Sequence, residues 1–117
     1  MPEDAVVDRV RSVTTSEPGR SLNSARTNHF VIDSARSVSE AMSSIEAFLA
    51  GVSSCGVNVV DREARQLGYP LREARAEIES VRSAADTSVI SSIALRFALA
   101  GVTREQAEEL VAIYKRR

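Results

Sequence analysis

The sequence predicts an α+β domain in which a long buried central helix packs against a mainly antiparallel sheet. Three observations lead there. Thr27 to Asp33 is a run of β-branched and aromatic residues bounded by polar ones, which reads as a strand. Residues 43–67 have a capped start and an apolar middle, with Gly68 and Pro70 just beyond, the marks of a long helix and its stop. Two alternating segments and a second capped helix complete the chain.

Taken in order, residues 5–13 place Ala5, Val6, Val7, Val10 and Val13 among charges, which suits an edge strand. Thr14 to Ser21 contains Glu17-Pro-Gly-Arg20, a turn signal. The strand at Thr27 to Asp33 follows, then a loop over Ser34 to Glu40. Ser43-Ser-Ile-Glu46 is a capping-box pattern that opens the first helix. This helix is apolar nearly all round from Phe48 to Val60, so it is expected to be buried. Leu71 to Val81 contains a conflict. Its Glu, Ala and Arg favour helix, whereas Ala74, Ala76, Ile78 and Ser80 alternate with Arg75, Glu77 and Glu79, and the alternation decides for a strand. Ile93, Leu95, Phe97 and Leu99 alternate likewise, and Gly101 closes that strand. Thr103-Arg-Glu-Gln106 opens a second helix with the apolar stripe Ala107, Leu110, Val111 and Tyr114. With no repeat, linker or low-complexity tract, residues 1–117 read as a single domain.

A domain of 117 residues buries only about two-thirds of the surface that its unfolded chain exposes, so dimerisation would help it. Fifteen Lys and Arg balance sixteen Asp and Glu, which favours neither a nucleic acid nor a membrane surface as partner. Lys115 is the only lysine, and the other basic residues are all arginine, the residue suited to forked contacts with carboxylates. The N-terminal Met-Pro-Glu-Asp has no basic region followed by an apolar core, so no secretory signal is expected, and the apolar runs are too short to span a bilayer. Aromatic residues make up 4% of the chain and Trp is absent, so the core must be built from aliphatic and small side chains.

Cys55 is the sole cysteine, which excludes an intrachain disulfide and a cysteine-rich metal site and fits a reducing cytoplasm. It lies among small residues, Glu46-Ala-Phe-Leu-Ala-Gly-Val-Ser-Ser-Cys55, that let another backbone come close. The thiol is either a small buried hydrophobe or a nucleophile. His29, the only histidine, cannot make a metal site without several carboxylates, and Asp33, at a strand end, reads as a turn former. No phosphate-binding glycine loop, Ser/His/Asp arrangement or metal motif is present.

In this order and spacing, Ala25-Arg-Thr-Asn-His-Phe-Val-Ile-Asp33, Glu46 to Cys55, and Gly101 to Arg117 resemble the OsmC/Ohr family of osmotically inducible and organic hydroperoxide resistance proteins. The resemblance runs from about Gly19 to Arg117. It implies an intertwined homodimer with active sites at the subunit interface and a role in the oxidative stress response. It also implies a thiol peroxidase without a cofactor, in which a helix cysteine attacks the hydroperoxide. A second cysteine then resolves the sulfenic acid, and an external thiol or dithiol restores the pair. By position Cys55 matches the attacking cysteine. Arg20, or alternatively Arg26, matches the Arg that stabilises the thiolate, and Glu46 the helix-start Glu that pairs with that Arg. Nine residues at about 100° each put Glu46 and Cys55 on opposite helix faces, so any link between them runs through an Arg from elsewhere.

Three departures accompany the resemblance. The second cysteine and the closing strand would be expected after the last helix, where the sequence ends at Lys115-Arg-Arg117. The stretch Ala35 to Met42 lacks the Gly-Gly and Pro common before the family's helix, and the N-terminal portion is short. Two expectations therefore stand. One is a cytoplasmic thiol-dependent peroxidase acting on organic hydroperoxides or peroxide through Cys55, with an outside reductant. The other is a non-enzymatic dimer of the same fold with a structural, buried Cys55.

Overall fold

A computed structural model describes residues 4–34, 36 and 39–116. It contains two helices and two antiparallel sheets, as the α+β expectation required. The chain divides into two compact units, Met1–Ala47 and Phe48–Arg117. Of the loop expected over Ser34 to Glu40, Ala35, Ser37 and Val38 lie outside the described residues, as do Met1-Pro-Glu3 and Arg117.

The first unit is built on a three-stranded sheet of β1 (Arg11–Thr14), β2 (Arg20–Ala25) and β3 (Asn28–Asp33), with β2 in the centre. The turn between β1 and β2 uses the predicted chemistry. Gly19 adopts φ 82°, and the Thr15 hydroxyl accepts from the Glu17 N–H at 3.1 Å and donates to the Arg20 carbonyl at 3.0 Å. The β2–β3 connection is a two-residue hairpin loop, Arg26-Thr27, with Arg26 at φ 56°. Two sequence expectations change here. Only Arg11 to Thr14 pairs, rather than all of residues 5–13, because Arg11 already faces Ser24 and β2 ends at Ala25, leaving the residues before Val10 nothing in β2 to face. Val6 and Val10 are accordingly exposed. Strand β2 itself was not foreseen, since Arg-Ser-Leu-Asn-Ser-Ala offers one large apolar side chain. Ladders on both sides hold it instead. So does the buried Asn23, whose carbonyl oxygen accepts from Ser12 Oγ at 2.6 Å while its amide donates to the Phe30 carbonyl at 3.3 Å.

Helix α1 (Ser44–Leu67) crosses the boundary between the units. It ends at Gly68, φ 71°, where the Tyr69 N–H reaches the Ala64 carbonyl at 2.9 Å. The second unit continues with the hairpin of β4 (Glu73–Arg82) and β5 (Ile90–Ala100) and closes with α2 (Arg104–Lys115). The alternation expected of β4 is present: Ala74, Ala76, Ile78 and Ser80 are half-buried, while Glu73, Arg75, Glu77 and Glu79 are exposed. Helix α2 starts with both halves of the predicted capping box between Thr103 and Gln106. The core joins Val60 and Ala64 of α1 to Leu110 of α2, enclosed by Tyr69, Leu71, Ala74, Phe97, Leu99 and Tyr114. Phe97 and Tyr114 meet edge to face at 5.4 Å.

Burial of α1 differs from the expectation. In this single chain only Gly56, Val59, Val60 and Ala64 are buried, Phe48 is 52% exposed, and Cys55 is exposed. A two-stranded hairpin and one short helix cover a single face of the helix. Near its two ends, Phe48 and Leu67 keep about half of their surface exposed.

Leu110 is fully enclosed, so Leu110→Ala is expected to cost about 2–5 kcal/mol in urea unfolding. Gly101 sits at φ 96°, and a Cβ there would lie 2.4 Å from the Pro70 carbonyl oxygen. Gly101→Ala should therefore lower the melting temperature clearly, and an unchanged melt would contradict the close approach.

Candidate functional site

In the second unit the candidate nucleophile lies beside a tight helix–strand contact. A Cβ built on Gly56 would sit 3.0 Å from Phe97 Cζ and 3.5 Å from Leu95 Cδ2. Glycine at 56 thus lets α1 lie against β5, and the preceding residue, Cys55, is exposed. Among the described residues of this unit, none donates a hydrogen bond to the Cys55 sulfur. Eleven residues separate Cys55 from the helix start at Ser44, so the positive end of the helix dipole, which acts within about one turn, does not reach it. A cleft between β5 and α2, lined by Phe97, Leu99, Ala107, Val111 and Lys115, does not include Cys55.

The first unit holds the most strongly organised polar cluster described. Arg20, first residue of β2, faces Asp33, last residue of β3. Its Nε donates to Asp33 Oδ1 at 2.6 Å, and its Nη2 donates to Asp33 Oδ2 at 2.9 Å and to Glu40 Oε1 at 3.0 Å. Asp33 Oδ2 also accepts the backbone N–H groups of Glu40, at 2.8 Å, and Ala41, at 2.9 Å. The Asp33 side chain is fully buried and that of Arg20 is 26% exposed. The Arg20 fork, followed by the two amides, holds the Asp33 carboxyl well below the usual carboxylate range against the opposing effect of burial. Asp33 and then Glu40 raise the Arg20 guanidinium further above its already high value.

The other candidates lie apart from this cluster or serve local roles. Arg26 occupies the exposed β2–β3 turn. Glu46 completes the capping box foreseen for α1: its Oε1 accepts the Ser43 N–H at 2.9 Å, and the Ser43 hydroxyl accepts the Glu46 N–H at 3.3 Å. The Ser43 amide, and after it the Ser43 hydroxyl, lowers the Glu46 carboxyl from its ordinary value. In the first unit Arg20 is therefore paired with Asp33 and Glu40, and Glu46 with Ser43. His29 is exposed, with its Nδ1 2.7 Å from Ser24 Oγ. Sequence reasoning missed what Asp33 does. The hairpin register held the signal: from the Ala25–Asn28 pair, counting outward places Arg20 opposite Asp33.

Residues 37–117 match the family model described as OsmC-like protein. Solved structures share the fold at low identity. An OsmC-like protein from Mycoplasma pneumoniae is 12% identical with a TM-score of 0.83, over 96% of this chain and 82% of that one. An organic hydroperoxide resistance protein OsmC from Legionella pneumophila is 16% identical with a TM-score of 0.73, over 97% and 85%. The organic hydroperoxide resistance protein OhrB of Bacillus subtilis is 15% identical with a TM-score of 0.66, over 95% and 84%. No curated protein matches the chain. Among the described residues, no helix is long and apolar enough to cross a membrane.

The Asp33 carboxyl titrates lower in the folded chain than in the unfolded one, so its contribution to stability is present above about pH 4, the ordinary carboxylate value, and is lost as pH falls below it. Asp33→Asn should lower stability at pH 7 and flatten the fall in melting temperature between pH 5 and about pH 3. An acid limb as steep as that of the parent protein would assign the loss to other carboxylates.

Proposed function

Because the chain belongs to the OsmC-like family, we propose that it is a thiol-dependent peroxidase that reduces organic hydroperoxides or peroxide through Cys55. The observation that carries this reading is an exposed thiol on the long helix, within the family-matched segment. The hydroperoxide-resistance names of two structural neighbours favour it. In the step proposed, the Cys55 thiolate attacks one peroxide oxygen. The O–O bond breaks, an S–O bond forms, and the other oxygen leaves with a proton as the alcohol, or as water from hydrogen peroxide. Sulfur is oxidised to the sulfenic acid. An external thiol then attacks that sulfur, releasing water and leaving a mixed disulfide, and a second thiol returns Cys55 to its reduced form. Cys55 is the one cysteine of these 117 residues, so both reducing thiols come from outside them.

The thiolate is the reacting species, and an ordinary thiol near pKa 8.5 is only about 3% ionised at neutral pH. A cation at the sulfur therefore matters. We assign that part to Arg20 in preference to Arg26, because Arg20 is held in a defined geometry while Arg26 stands on an exposed turn. A homodimer in a reducing compartment belongs to the same proposal. Val13, Phe30, Phe48 and Ile93 are each about half exposed in the single chain, which leaves apolar surface for a second copy to cover. The alternative, a non-enzymatic dimer, draws on one observation: no described group of the second unit donates a hydrogen bond to the Cys55 sulfur.

The test is the mass of the protein after brief exposure to a slight excess of cumene hydroperoxide with dimedone present. One adduct on Cys55, absent in Cys55→Ser together with peroxide consumption, is the expected result. A free, unmodified thiol, or undiminished consumption in Cys55→Ser, would favour the non-enzymatic dimer. A compact monomer in sedimentation would count against the dimer in both readings.

A further inference from the structure

We infer that Asp33 is a positioning residue for Arg20, fixing which edge of the guanidinium stays open to an incoming anionic sulfur; this rests on the reading of Arg20 and Cys55 given above. Asp33 Oδ1 takes one donor and Oδ2 takes three, so four donors converge on a carboxylate that has roughly four acceptor positions, with Oδ2 the more crowded oxygen. The side chain is fully buried, so water does not substitute for these partners. Two of the four bonds come from Nε and Nη2 of one guanidinium, and parallel bonds of this kind fix the plane of the group as well as its place. Nη2 spends its second proton on Glu40. Among the described residues that leaves the Nη1 edge, with its two N–H donors, uncommitted.

Charge alone gives a poor account of such a site. One guanidinium beside two carboxylates sums to one negative charge, so the cluster does not attract a thiolate as a bare cation would. It offers directed donors on a group whose orientation is set. The same carboxylate also holds the Glu40 and Ala41 amides, and the Asp33 N–H donates to the Met42 carbonyl at 2.9 Å. Asp33 thus ties Arg20 to the residues that lead directly into Ser43 and the start of α1. An aspartate on a solvated turn would do none of this.

The experiment compares the full chain with Arg20→Met, Asp33→Asn, Asp33→Glu and the double variant Arg20→Met/Asp33→Asn. It reads the second-order rate of Cys55 oxidation by cumene hydroperoxide and the pH profile of Cys55 alkylation. Circular dichroism at pH 7.5 checks that each variant is folded. The expected result is a loss of about ten- to a hundredfold in Arg20→Met and in Asp33→Asn, an alkylation profile displaced to higher pH in both, and no further loss in the double variant. Asp33→Glu keeps the charge but carries the carboxylate one methylene away, so it should not restore the rate, and it bears the test if the Asn variant fails to fold. Full rate in Asp33→Glu, an alkylation profile displaced to lower pH in Asp33→Asn, or losses that multiply in the double variant would each overturn the positioning role while leaving the peroxidase reading in place. No effect of Arg20→Met, or no oxidation of Cys55 in the parent chain, would bring down the reading of the site, and the inference with it.

Discussion

A carboxylate taken out of water must be met by donors, and in the first unit that requirement is concentrated at Asp33. Desolvating an unpartnered carboxylate would be prohibitive, and here four donors converge on it from two places in the chain: a β2 side chain and two successive amides of the segment that follows β3. Each of those places is held in return. The β1–β2 turn delivers Arg20, the hairpin register puts it opposite Asp33, and the stretch leading to α1 is drawn in by its amides. A three-stranded sheet with exposed valines and a half-exposed Phe30 has little hydrophobic core with which to define itself. Polar satisfaction does much of that defining instead, as it also does at the buried Asn23.

The second unit follows a different logic. Its core is small and aliphatic, with Val60, Ala64 and Leu110 enclosed and the aromatic pair Phe97 and Tyr114 at its side. The small residues of α1 serve approach rather than volume, and Gly56 shows this most clearly, since any side chain there would press on Phe97. Cys55 is exposed next to this contact. Its place on the helix is thus next to a close helix–strand approach, while the residue itself stays accessible.

Much of the architecture was legible because it depends on local chemistry. Both capping boxes, Ser43 with Glu46 and Thr103 with Gln106, are set by residues three apart, and Gly68 and Gly101 mark conformations that other residues adopt poorly. The β4 alternation outweighed helix propensity because one face of the hairpin lies on the core. Features that depend on a partner elsewhere in the chain were not legible. The polar β2 is a strand because it has neighbours on both sides, and β1 is short because β2 ends where it does. An all-round apolar helix shows what surface a sequence is able to bury, and a single chain need not supply the cover. Asp33 looked like a turn residue because its partners, Arg20 across the strand pair and the Glu40 and Ala41 amides, lie seven or more positions away in sequence.

The two-residue turn at Arg26-Thr27 acquires a meaning from this arrangement that its exposed position would not suggest. It sets the count that brings residue 20 opposite residue 33. Side chains alternate between sheet faces, so one inserted residue in that turn, with the ladder re-formed around it, would point the arginine and the carboxylate to opposite sides. Surface loops usually drift freely in length over evolutionary time. This one is expected to keep its length even where its residues change, because what is inherited there is a spacing.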